Sequence, residues 1–105
     1  MEAEHERDGG AVLLIRRFHV QGTVQGVGFR WFVRQSARPL NLAGIVRNER
    51  DGSVSVVAQG SDDSLRALQR ALCRGPAGSR VQRVDCSEVS ADSCEVLPLP
   101  FVIER

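Results

Sequence analysis

The sequence predicts an α+β domain in which two helices cover one face of an antiparallel sheet, in the order β-α-β-β-α-β, with a short strand at the C-terminal end. Two segments carry apolar residues at helical spacing, each between segments of strand-like alternation, and an Asp-Gly turn signal separates the middle two strands. With 105 residues, 42% hydrophobic and 26% charged, the chain has material for one core and not for two.

Met1 to Gly10 holds four acidic residues, one arginine and a Gly-Gly pair, and reads as a flexible acidic tail that leaves residues 11–105 as a single domain. Ala11 to Gln21 starts as an apolar run and then alternates, with Leu14, Phe18 and Val20 on one parity, which predicts the first strand. His19 falls on the other parity beside Arg17 and reads as a surface strand residue. Phe29, Phe32, Val33 and Ala37 recur at helical intervals and predict a helix over Phe29 to Arg38, ended by Pro39, with Asn41 as a left-handed turn residue. Trp31 is expected on that helix's surface or at the core edge.

Gly44 to Asn48 and Ser53 to Gln59 flank the turn material Glu49 to Gly52 and predict a hairpin. A strict two-residue turn would place Val46 and Val54 on opposite faces; a longer loop with a bulge reconciles them. The second helix is the best-marked element. Ser61 is placed to cap it, Asp62 and Asp63 complement its dipole, Leu65, Leu68 and Leu72 form its apolar stripe, and Arg74, Gly75 and Pro76 stop it. Arg80 to Val89 is the fourth strand, Ser90 to Pro100 is irregular, and Phe101 to Glu104 returns to the sheet. The result is a ferredoxin-like sandwich, an architecture that hosts many functions and selects none.

Composition removes several classes. A net charge of +1 makes no case for a nucleic-acid surface. All fourteen basic residues other than histidine are arginine, which excludes a Schiff-base lysine and a Walker A loop. Cys73, Cys86 and Cys94 are odd in number and lack CxxC spacing, and only His5 and His19 could join them, so no disulfide framework, metal site or cofactor is expected. No apolar run approaches the ~20 residues needed to cross a bilayer. The expected protein is cytoplasmic and monomeric, without nucleic-acid or membrane partners.

Chemistry concentrates in Gly22 to Arg30, GTVQGVGFR, at the junction of the first strand and first helix. Three glycines there cost chain entropy, so the backbone needs positive φ or a close approach. Before a helix, such a loop can turn successive N–H groups toward one point, where the helix N-terminus adds partial positive charge and favours an anion. Arg30, in the first helical turn, can then grip two phosphate oxygens at once. The same pattern also reads as a tight turn followed by an exposed arginine. Asn48, at the end of the second strand, has an amide that orients a water without titrating, although asparagine there is also an ordinary turn former. Thr23 and Gln25 are expected to face solvent, with side-chain hydrogen bonds to the loop as the alternative, and Arg47 to point to the sheet face opposite Asn48.

The segments GTVQGVGFR, LAGIVRN, DGSVSVVAQG and GPAGSRVQRV, in this order, resemble the acylphosphatase family from about Phe18 to Val89 and again over Phe101 to Glu104. The resemblance implies metal-independent hydrolysis of the carboxyl-phosphate bond of a small acylphosphate to a carboxylate and inorganic phosphate. It assigns phosphate binding to Arg30 and to the loop of Val24, Gln25, Gly26, Val27, Gly28 and Phe29, and positioning of the attacking water to Asn48. Ile45 departs from the tryptophan common after Gly44 in the family, and Pro39 and Asn41 replace its usual helix former and glycine. None of these removes a catalytic atom. The alternative is a noncatalytic or accessory acylphosphatase-like module, such as the one in larger carbamoyl-transfer maturation factors.

Overall fold

The computed structural model describes residues 12–105; the acidic segment 1–10 and the start expected for the first strand at Ala11 lie outside the described residues. Strand β1 (Leu14–Thr23) leads to helix α1 (Phe29–Ala37), a 3₁₀ turn (Arg38–Leu40), β2 (Ala43–Asn48) and β3 (Val54–Gly60). Helix α2 (Asp62–Arg74), β4 (Arg80–Val89) and the two-residue β5 (Val102–Ile103) complete it. The sheet order is β4-β1-β3-β2-β5. The first four strands pair antiparallel, and β5 joins the β2 edge in parallel, which makes the sheet mixed.

One sheet face is apolar because β3 alternates strictly, burying Val54, Val56 and Ala58, while β1 adds Phe18 and Val20 and β2 adds Val46. Phe29, Val33 and Ala37 of α1, and Leu65, Leu68 and Leu72 of α2, close the same cluster, and Phe101 is fully buried within it. Burying each large side chain contributes about 1.5–3 kcal/mol. The α2 N-terminus is capped as expected: the Ser64 N–H donates to Ser61 Oγ at 3.1 Å, an arrangement that contributes about 1 kcal/mol. Arg16 sits under that end, its guanidinium bridging Glu88 of β4 at 2.6 Å and Asp62 of α2 at 2.7 Å.

Several boundaries differ from expectation for local reasons. β1 runs two residues past Gln21, because a register shift at Gln21/Gly22 lets Gly22 and Thr23 pair with Val81 and Arg80. Gly22 has φ 135°, and a Cβ there would collide with the Arg80 carbonyl, so only glycine fits the bulge. The hairpin loop spans residues 49–53, with Asn48 opposite Val54 and Val46 opposite Val56, which puts all three valines on the core face. Helix α1 stops one residue early, where Arg38-Pro39 begins the 3₁₀ turn, and Asn41 takes the left-handed conformation at φ 58°.

Candidate active site

The bend between β1 and α1 is pinned at both ends by core side chains, Val24 at 1% exposure and Phe29 at 2%. Between them, Gly26 and Gly28 adopt left-handed backbone at φ 77° and 76°. A Cβ at either would meet nothing within 4 Å, so the requirement for glycine is conformational; any other residue costs roughly 1–2 kcal/mol there. Left-handed residues alternating with ordinary ones turn successive amides to one side, the concave arrangement that suits an anion. Gly28 is also the N-cap of α1, and no side chain caps that helix, in contrast to Ser61 on α2. The first-turn amides of α1 are therefore available to a ligand, at the positive end of the helix dipole.

Arg30 and Asn48 come together in one cavity of about 280 Å³. One wall is the bend, through Val24, Gly26, Gly28 and Phe29; α1 supplies Arg30 and Trp31, and the end of β2 supplies Asn48. Ile103 and Arg105, from β5 and the residues after it, form the remaining side. Gln25 and Val27 do not line this cavity. Val27 packs against the core, and the Gln25 carboxamide donates to the carbonyls of Glu49 and Ser53, both at 2.8 Å, so Gln25 faces the hairpin rather than solvent.

Three lining residues escape the sequence reading. Trp31, 56% exposed, lies on the helix surface as expected, but that surface is the cavity wall. Ile103 and Arg105 reach it because β5 docks beside β2; the FVIE strand pattern was the available signal, and the edge it would choose was not readable.

A larger groove, about 730 Å³, lies on the other sheet face, floored by Ile45 and Val57. It contains Arg47 but neither Arg30 nor Asn48, as strand alternation requires. Arg47 and Glu49 are paired within it: the Arg47 guanidinium donates to Glu49 at 3.0 Å and, beyond the groove, to Glu104 at 3.4 Å, and Ser55 Oγ donates to Glu49 at 2.5 Å. His19 is not a free surface residue. Ser53 Oγ spends its one hydrogen on Asp51 Oδ1 at 2.5 Å, so its 2.7 Å contact to His19 Nε2 has the imidazole N–H as donor. Among the described residues, no group of three or more His, Cys, Asp or Glu side chains is placed to hold a metal ion.

These partners set an acid dependence. The Ser55 hydroxyl and then Arg47 hold the Glu49 carboxyl below its usual range; Ser53 does so for Asp51, and Arg16 for Asp62. Their folded values are depressed, so the unfolded chain binds more protons, and the stability they contribute is present above pH ~4.5 and lost as pH falls through the folded values. Urea midpoints are expected to be level from pH 7 to 5 and to drop between pH 4 and 2.5; a level midpoint down to pH 2.5 would contradict these pairings.

The acylphosphatase family model matches residues 16–95, from β1 through β4 and into the loop beyond. The chain belongs to the acylphosphatase family. It is 47% identical over 78 residues to an acylphosphatase of Koribacter versatilis, covering 74% of this chain and 71% of that one. Its fold superposes on the crystal structure of acylphosphatase from Bacillus subtilis with a TM-score of 0.78 at 35% identity, covering 88% of this chain and 99% of the other. Full-length HypF also superposes, with a TM-score of 0.74 at 27% identity, but the match covers 12% of that chain. Relatives at higher identity are acylphosphatases, so the accessory-module alternative is not favoured. The protein is an acylphosphatase, a hydrolase of small acylphosphates. Among the described residues, no helix is long and apolar enough to cross a membrane.

Proposed function

We propose that hydrolysis takes place in the Arg30–Asn48 cavity, without a metal ion, through charge stabilisation and positioning. The observation that carries this reading is the convergence of an uncapped helix N-terminus, two left-handed glycines, one guanidinium and one carboxamide on a space sized for a small ligand. The bend's N–H groups and the Arg30 fork hold the three phosphoryl oxygens, matching charge that is present in the substrate and redistributed in the transition state. Asn48 holds a water in line with the bond to be broken. The water oxygen bonds to phosphorus as the phosphorus–oxygen bond to the acyl group breaks. The carboxylate leaves with the bonding pair, and the water's proton passes to a phosphoryl oxygen. A carboxylate is a good enough leaving group that no separate general acid is required.

The test is hydrolysis of benzoyl phosphate by protein stripped of metal, with excess chelator present. Turnover is expected to be unchanged by the chelator and by added Mg²⁺. A requirement for a divalent ion would overturn the metal-independent reading.

The same proposal covers the chain's setting. Residues 11–105 act as one domain, with residues 1–10 dispensable for catalysis, supported by a core that runs as one cluster from Phe18 to Phe101. The same reading keeps the protein a monomer in the cytoplasm, a reducing compartment that suits three free cysteines.

A further inference from the structure

Resting on that placement of the reaction, we infer that Gln25 is a positioning residue that locks the anion-binding bend to the segment bearing Asn48. The Gln25 side chain leaves the bend one residue after buried Val24 and one before left-handed Gly26, and is half-buried. Its amide nitrogen, Nε2, lies 2.8 Å from both the Glu49 and the Ser53 carbonyl oxygens. Two carbonyls can only accept, so the group facing them is the NH₂, and both of its hydrogens are used.

The two acceptors are the ends of the five-residue loop that joins β2 to β3, and Glu49 directly follows Asn48. The Glu49 N–H also donates to the Ser53 carbonyl at 2.8 Å, which closes the loop on itself. One side chain of the bend thus grips both sides of a closed loop, while β1 contributes a second hold through His19 on Ser53 Oγ. The distance between the phosphoryl oxygens and the water held by Asn48 then depends in part on this carboxamide, the one side chain of the bend that grips the loop at both ends.

No shorter or differently charged side chain reproduces this. Asparagine lacks one methylene of reach, glutamate presents acceptors to two carbonyls, and methionine has similar length but no donor. The carboxamide touches neither the proposed substrate nor the water, so its removal acts through geometry. Misplacement of reacting groups by about 1 Å is enough to cost on the order of 10²-fold in rate.

The experiment compares the parent with Gln25→Met, Gln25→Glu, Asn48→Ala and the Gln25→Met/Asn48→Ala double variant, using benzoyl phosphate turnover, competitive inhibition by inorganic phosphate and urea unfolding. Gln25→Met is expected to lower kcat by roughly 10- to 100-fold while the phosphate inhibition constant shifts by less than about fivefold. Gln25→Glu, equal in shape, is expected to fall at least as far. Because Gln25 acts through Asn48, the double variant should be little slower than Asn48→Ala alone.

A purely structural role would lower the urea midpoint but leave kcat of the folded protein near parental, or give losses that multiply in the double variant. Either result overturns the inference. If Arg30→Ala and Asn48→Ala themselves keep parental turnover, the placement of the reaction has failed instead.

Discussion

Replacing Arg30 with alanine is expected to lower kcat/KM for benzoyl phosphate by about 10³-fold, or ~4 kcal/mol of transition-state stabilisation. Arg30, in the first turn of α1 beside the glycine bend, lines a cavity shared with Asn48. Its loss leaves a phosphoryl group facing amide dipoles alone, without a cation to balance it. Arg30→Lys restores the charge but not the planar fork, so it is expected to stay at least ~10²-fold below parent. Arg30 is not among the buried core residues, and both variants should unfold near the parental urea concentration. Parental turnover in the alanine variant would remove the phosphate-gripping role.

Asn48→Ala is expected to reduce kcat by roughly 10²-fold and to change inhibition by inorganic phosphate by less than about threefold. Its side chain is exposed at the end of β2, opposite Val54, so truncation opens no core cavity. The two variants are expected to separate by kind. Loss of Arg30 weakens both phosphate binding and turnover, whereas loss of Asn48 spares the ground state and slows the chemical step. A large rise in the phosphate inhibition constant of Asn48→Ala would mean that this amide binds the anion rather than the water.

Local chemistry made most of the architecture readable. The Ser61 cap, the leucine stripe of α2 and the strict alternation of β3 each act within a few residues, and each is found where the pattern places it. What pattern could not supply was partnership across the chain. β5 pairs parallel with β2, bringing Ile103 and Arg105 to the cavity, and a two-residue strand carries no mark of which edge it will join. Gln25 and His19 were expected at the surface because their polarity and local spacing allow it; their acceptors lie 24 to 34 positions away in sequence. The site was legible in part. The glycines mark the unusual backbone and the first helical turn marks Arg30, but the meeting of Arg30 with Asn48 follows from sheet order alone.

That order has a kinetic corollary. Since β3 lies between β1 and β2, the guanidinium and the carboxamide become neighbours only after both flanking strands have zipped onto the same central one in correct register. A refolding chain that has regained its helices but slipped a strand would be silent, because a slip of one residue reverses which way Asn48 faces. Recovery of turnover therefore clocks completion of the slow, long-range pairing rather than collapse or helix formation, and the enzyme reports on its own topology.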